Sequence, residues 1–413
     1  MELRTLFRDI AGALREKDGS GEPIAAGDFP ARIRAIPGAA GAPLEPFRVY
    51  QAARPAEWLE VPEPEEDELY LLVHIPDGRE SMLAFTVTCA GSYTVELGAL
   101  SGGSFVTSVR ASAASGAKYE TVLRAEDWGN LAGGVRQVLV RIRGRDILTW
   151  EPSVHSKRTS PSNFSGWNIV EIKCRLPCGT AVRCGSGTGN RALKGLKFFT
   201  WRGENSLTSL DSMFYSCVSL ITVLELNTSK AVSAAAMFYN CAALTALPGL
   251  DTSGVSTLSR AFYGCGSLVR LPELDTARAV ALDSVFRGCA SLSCVPPLNT
   301  AQAARMDYIF YGCASLTAIP RLSTGQASNL ASAFGGCYAV SRILLDPAVT
   351  GWAGAAMDLR DCSLSLEALT DLFYSLPAIS AAKTLTLTGN PGASELTDEV
   401  RAIAENKNWT LRI

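Results

Sequence analysis

From residue 213 onward the apolar positions of this chain recur with a period of 24. Cys217, Cys241, Cys265, Cys289, Cys313 and Cys337 set the register. A phenylalanine stands three residues before each (Phe214, Phe238, Phe262, Phe286, Phe310, Phe334), and Leu220, Leu244, Leu268, Leu292, Leu316 and Val340 stand three after. Pro248, Pro272, Pro296 and Pro320 each precede Leu250, Leu274, Leu298 or Leu322 by two, and Thr228, Thr252, Thr276, Thr300 and Thr324 complete the unit. Six gap-free copies exclude chance. Within one copy, Leu244 to Leu250 reads as a short strand ended by Asp251. Val255, Leu258 and Phe262, at spacings of three and four, predict a short helical or 3₁₀ return on the opposite side. One such coil cannot bury its own apolar edge, so neighbours stack and share a continuous core.

Strand, turn and return in 24 residues is leucine-rich-repeat geometry, and the expected fold class is α+β: a solenoid with a parallel sheet. Residues 213–342 are its regular coils. Counting back one period from Leu220 gives Leu196 in the strand-like LKFFTWRG, and Ile172 in NIVEIKCRLP opens a further degenerate coil, so 165–212 read as N-terminal capping coils. After Val340 the period lengthens. A helix over Leu366–Leu376, capped by Ser365 and stopped by Pro377, a strand Thr384–Thr388, a helix near Leu396–Asn406 and a strand Trp409–Ile413 make 343–413 the C-terminal cap.

A different rhythm governs the front of the chain. YLLVHIP, MLAFTVTC, SYTVELGA, SFVTSVRA, KYETVLRA and VRQVLVRIRG alternate with period two between Gly, Ser and Asp turns, which predicts a β-sandwich of PKD or Ig type over 46–155, acting as a spacer. Before it, Leu3, Leu6, Phe7, Ile10, Ala13 and Leu14 share one helical face. Asp28 caps a second short helix that Pro37-Gly38 ends. These 1–38 residues are too few for a core of their own, so they are expected to dock or to assemble with further copies of the chain.

Composition narrows the chemistry. A formal charge of -2 over 413 residues gives no global field towards nucleic acid or anionic lipid. The first residues, MELRTLFRDIAGALREK, lack a signal-peptide core and no run of about 18 apolar residues occurs, so the chain is expected to be made in the cytosol and not to insert in a membrane. The six periodic cysteines line up along an axis and do not converge on a point, so free buried thiols are expected and no cofactor or metal is implied. Cys174, Cys178 and Cys184 form C-x3-C-x5-C without a neighbouring histidine, a poor metal signature. Only His74 and His155 exist. Neither adjoins a nucleophile motif, and Walker, HExxH and GxSxG patterns are absent, which argues against an enzyme. Binding residues are then sought where coils differ. Arg270, Arg321, Arg342, Glu225 and Glu273 fall in or beside the strands. Tyr215, Tyr239, Tyr263 and Tyr311, with Arg287 breaking the series, form a column next to the buried phenylalanines. Two readings of that column stand open: a platform for sugar rings, or a roof over the core with wet hydroxyls. Asn227, Asp251, Asp275 and Asn299 are expected to make Asx turns.

MFYSCVSL (213–220) and MFYNCAALTALPGLDTSGVSTL (237–258) resemble the BspA-like leucine-rich repeat, which implies a binding solenoid. The order of LREKDGSGEPIAAGDFPARIRAI, RPAEWLEVPE, SYTVELG and then such coils is similar to tail-fibre or receptor-binding proteins of bacteriophages and prophages, although Glu96-Leu97-Gly98-Ala99 replaces the acidic WGDG turn of their sandwich. That resemblance implies a virion-associated adhesin. Its solenoid would recognise a bacterial surface glycan or protein, and its N-terminal segment would meet tail or baseplate proteins. A bacterial cell-surface adhesin or scaffold, and a tailspike-like glycan hydrolase, are the competing implications.

Overall fold

The computed structural model describes residues 46–129, 131–132, 134–153, 168–185, 192–327, 330–346 and 356–413. The expected helical segment 1–38 and His155 lie outside them. Two compact units divide the chain: residues 1–230 with 243–248, and residues 231–242 with 249–413.

In the first unit, helix α1 (Pro46–Ala53) precedes strands β1 (Glu68–Pro76), β2 (Glu80–Thr88), β3 (Ser92–Ser101), β4 (Ser104–Ala114), β5 (Lys118–Arg124), β6 (Leu131–Ala132), β7 (Val135–Arg143) and β8 (Thr149–Pro152). Each alternating segment of the sequence is therefore a strand. One sheet runs β4-β3-β7-β1 with β6 on β7, and a second sets β2 between β5 and β8. Charges inside the first sheet are paired across strands. Glu96, 2% exposed, lies opposite Arg141 and Arg110 and bonds to both, and Glu68 likewise faces and bonds Arg143. The stretch Glu96–Ala99 is consequently mid-strand and not a turn. Gly98 faces an irregular step in β4, where an added Cβ would collide with the Val106 carbonyl oxygen.

This sheet continues without a break into the first coils. β9 (Ile169–Arg175) pairs antiparallel with β1 on one side and parallel with β11 (Phe198–Trp201) on the other. β11 then pairs parallel with β12 (Thr222–Glu225), which bridges to Ala246. The second sheet is extended in the same way by β10 (Ala181–Val182), parallel to β8. The strand that holds Ile172 thus lies between an antiparallel neighbour, β1, and a parallel one, β11, which begins two residues after Leu196. Across the outer face of β1, β9 and β11 lie α1 and the residues after it. Trp58 and Val61 bury Tyr70, Leu72, Val170, Phe198 and Ile221, with Tyr50 edge-on to Phe198 at 5.0 Å.

The second unit departs from the expected helical return. Among its described coils the return is a run of tight turns. The N–H groups of Tyr263, Cys265 and Leu268 donate three residues back, while those of Phe262 and Gly264 donate to Val285 and Arg287 of the next coil. The cause lies in the backbone. Ala236, Arg260, Ser284, Tyr308 and Ser332 adopt φ of 50 to 58°, and Asn240, Gly264, Gly288, Gly312 and Gly336 adopt 58 to 77°. Two left-handed residues per coil, four apart, interrupt any right-handed helix. Strand pairing is equally brief, as bridges Thr257–Ala281–Arg305, Ala318–Arg342 and Leu322–Leu345. The coils are therefore a β-solenoid with parallel bridges, and among the described residues strand–helix–strand units appear only at the C-terminus. There β13 (Met357–Asp358), β14 (Lys383–Thr386) and β15 (Trp409–Arg412) form a parallel sheet joined by helices α2 (Leu366–Ser375) and α3 (Asp398–Glu405). Leu385 pairs with Met357 and with Leu411, separations of 28 and 26 residues, which leave room for a helix that 24 do not. Ser365 caps α2 by accepting from the Ala368 N–H, and Thr397 caps α3 through Val400.

Side chains repeat the register inside the core. Phe238, Phe262, Phe286, Phe310 and Phe334 stack face to face at 5.6–6.2 Å, with planes 10–19° apart. The thiols of Cys265, Cys289, Cys313 and Cys337 each donate to the carbonyl of the preceding coil's phenylalanine at 3.1–3.2 Å. Hydroxyls of Thr252, Thr276 and Thr300 donate to Asp275, Asn299 and Ser323 of the next coil. The expected Asx turns form at all four positions: Asn227, Asp251, Asp275 and Asn299 accept from the N–H two residues on.

Candidate ligand-binding face

A side chain can face a ligand only if the core and its neighbours leave it polar surface to offer. The tyrosine column meets that condition in the second unit. Each member follows a buried phenylalanine, so it turns outward beside the core. Tyr239 and Tyr263 stack at 4.5 Å with planes 11° apart. Arg287 continues the column as a cation. Its guanidinium carbon lies 5.5 Å from the Tyr263 ring centre, 5.0 Å from Tyr311 and 4.6 Å from Tyr308. Such distances give cation–π attraction worth about 0.5–2 kcal/mol. Tyr308, edge-on to Tyr311 at 5.7 Å, was not flagged by the repeat. It occupies one of the left-handed positions, whose residue type varies from coil to coil. Stacking has a chemical consequence: rings that cover one another's faces present edges and hydroxyls to solvent. Past Tyr311 the column ends at Gly335, where an added Cβ would press on the Tyr311 ring at 3.0 Å.

The remaining candidates are dispersed. Tyr215 and Glu225 belong to the first unit, and the Glu225 carboxylate is engaged by Arg202 at 2.5 Å and by the Gly203 N–H. Arg342 pairs with Asp371 of α2 at 3.5 Å. Glu273 is exposed, Arg270 half-buried. Arg321 edges a shallow cleft of about 450 Å³ lined also by Cys294, Pro297, Ile319 and Pro320. The structure thus gathers Tyr239, Tyr263, Arg287 and Tyr311 and adds Tyr308, while the strand-borne charges do not converge on them. In the first unit, Glu151, Thr180, Arg183, Ser209 and Asp211 line a polar cleft of about 640 Å³. No periodicity marks it, because it forms between β8, β10 and the loop before Phe214.

Elsewhere reactive groups are enclosed. All twelve cysteines are free, and only Cys178 and Cys294 are exposed. Burial raises Cys289 and Cys337 to about 12, far from the thiolate. Cys174 donates to the Thr200 carbonyl, the Cys184 carbonyl accepts from Cys217, and Cys178 lies 3.7 Å from Asp146, so the three do not share a centre. Among the described residues no group of three or more metal-capable side chains occurs. His74 is buried in β1, edge-on to Trp58 at 4.5 Å.

Residues 196–291 and 245–346 match a family described as "Mycoplasma protein of unknown function, DUF285". No curated protein matches the chain. The family match and the bridged coils together fit a BspA-like repeat protein.

Proposed function

We propose that this protein is a non-catalytic adhesion protein that recognises a component of a bacterial surface through its solenoid. The observation that carries the reading is the column Tyr239–Tyr263–Arg287–Tyr311 with Tyr308. It lies outside the core and ends in hydroxyls and a cation. The match to the repeat family points to a surface or interaction protein and supports the same reading. The order of parts in the sequence favours one setting, a phage or prophage tail. There 1–38 would attach to tail proteins or further copies, and the strand-rich region 46–155, of PKD or Ig type, would space the solenoid from them. A cell-surface adhesin or scaffold of a bacterium is the alternative setting. Nucleic acid and bilayer insertion are not part of the proposal, and no described helix is long and apolar enough to cross a membrane.

The test is sedimentation of the full-length protein with a panel of bacterial envelopes before and after glycans are stripped. Retention on at least one envelope is expected. Loss of retention on stripping assigns a glycan target, and survival assigns a protein. A protein that sediments with no envelope overturns the adhesive reading.

A further inference from the structure

Arg287 is held in an uncommon way. Guanidinium carries its attraction for anions along its edge, where the N–H donors lie, while its faces are suited to aromatic rings. Here Tyr263, Tyr308 and Tyr311 surround the group. Among the described residues its charge meets no carboxylate. The nearest acid before it in sequence, Asp283, and the first after it, Asp307, are approached instead by Arg305, at 3.3 and 3.9 Å. Arg260, in the coil of Tyr263, is exposed and likewise forms no ion pair among the described residues. Two arginines in adjacent coils therefore stand without an acidic partner among the described residues, and one of them, Arg287, lies against the rings of Tyr263, Tyr308 and Tyr311.

The backbone restricts what kind of ligand fits. A peptide adding to this face as a strand would need free N–H and C=O groups. The column's own groups are already engaged: Asn240, Gly264, Gly288 and Gly312 donate to the carbonyls of Tyr263, Arg287, Tyr311 and Gly335 at 2.6–2.8 Å. Recognition here must run through phenol hydroxyls and guanidinium edges. Hydroxyls that both donate and accept match the hydroxyls of sugars, and a planar fork set among rings and paired with no acid among the described residues matches a carboxylate, bidentate.

Resting on the proposed adhesive function, we infer that the Arg287 cluster is a binding site for the carboxylates of an acidic polysaccharide, a polymer of uronic acids. Pre-organisation is the physical core of the site: the rings fix the guanidinium before the ligand arrives, so little rotamer freedom is lost on binding. The edge-on tyrosines hydrogen-bond the sugar hydroxyls and do not stack on the sugar faces.

The test titrates the full-length protein with oligogalacturonate and oligomannuronate, with their carboxyl-reduced neutral counterparts, and with polyglutamate. One acidic oligosaccharide is expected to bind at least about tenfold more tightly than its reduced form, since a charge-assisted bidentate pair is lost. Arg287→Tyr, which completes the tyrosine column while removing the charge, is expected to lose a similar factor with its melting curve unchanged. Arg287→Lys falls between, since it keeps the charge and loses the fork. Equal affinity for charged and reduced oligomers, or for wild type and Arg287→Tyr, overturns the inference. So does failure of the wild type to bind either acidic oligomer, and polyglutamate binding as tightly as the sugars overturns the glycan assignment. If the protein sediments with envelopes while the carboxylate tests fail, only this inference falls. If it sediments with none, the adhesive reading falls with it.

Discussion

At the residue scale the buried imidazole of His74 has a measurable cost. Burial, with the nearby cations of Lys197 and Arg54, pushes its pKa down to about 3. The unfolded chain takes up this proton near pH 6.5, whereas the folded form does so only near 3. Between those values the unfolded state binds more protons, so stability is full above 6.5 and declines as pH falls through the window. The limit is on the order of 4–5 kcal/mol. Denaturation midpoints measured from pH 7 to 3 should fall accordingly, and His74→Phe, of similar size and without a proton to gain, should flatten that decline. A decline identical in both proteins would exonerate the histidine. The cysteines are the opposite case. Their thiols donate to the carbonyls of Phe238, Phe262, Phe286 and Phe310, and are shielded from reagents. A thiol probe should label only Cys178 and Cys294 in the native protein and all twelve after unfolding. More than two labelled positions in the native state would contradict the buried ladder.

At the scale of elements, α1 and the residues that follow it act as a cover sewn to the sheet by polar groups. Arg54 meets Glu171 of β9 at 2.8 Å, with Tyr50 donating to the same carboxylate at 2.9 Å and only 1% of the glutamate side chain exposed. Lys173 reaches the Val61 carbonyl and Glu63, both at 2.9 Å. Removing one partner strands a buried charge, so Arg54→Ala should cost roughly 3–5 kcal/mol by chemical denaturation. A double change, Arg54→Leu with Glu171→Leu, should recover most of it; a double variant as unstable as the single would assign the loss to packing. None of this was visible in the sequence, because residues 54 and 171 carry no shared pattern and meet only through the fold. Strands β1 to β5 and β7 were legible from period-two alternation, and α2 and α3 from Ser365, Pro377 and apolar spacing. The spacing of apolar residues in the coil's return fits two backbones. Val255, Leu258 and Phe262 have helical spacing, but consecutive tight turns place residues three and four apart on one side as well. What separates the two is the left-handed backbone at Arg260 and Gly264. The glycine column was a usable sign of it. The other column, Ala236, Arg260, Ser284, Tyr308 and Ser332, was not, for those residue types seldom mark such a backbone. The candidate face was legible in four of its members, and Tyr308 escaped because it stands in that second column.

At the scale of the whole molecule, the stacked coils need closed ends. In the first unit the antiparallel strands supply one through the β1–β9 ladder. In the second, the Ser363 N–H donates to the Val340 carbonyl at 2.9 Å and the Leu345 N–H to the Ser375 hydroxyl at 3.3 Å, covering the last coil. A chain ending at Asp346 would uncover Phe334, Val340, Ile343 and Leu345, all fully buried in the intact protein. It should bind a hydrophobic dye and aggregate, as uncapped solenoids do; a soluble monomer with an unchanged melting curve would show that the C-terminal sheet is dispensable. The gap-free register has a further bearing on how such a protein changes over generations. Phenylalanine stack, thiol donors, threonine donors and turn amides each join neighbouring coils at a fixed offset, the thiols to the coil before and the threonines and turn amides to the coil after, so an insertion of a few residues breaks these ladders together. Gain or loss of one entire repeat in the gene breaks none. Tandem units of one fixed length can be gained or lost whole, so lineages of this protein should differ by whole coils, lengthening or shortening the face they offer while leaving the coils in phase.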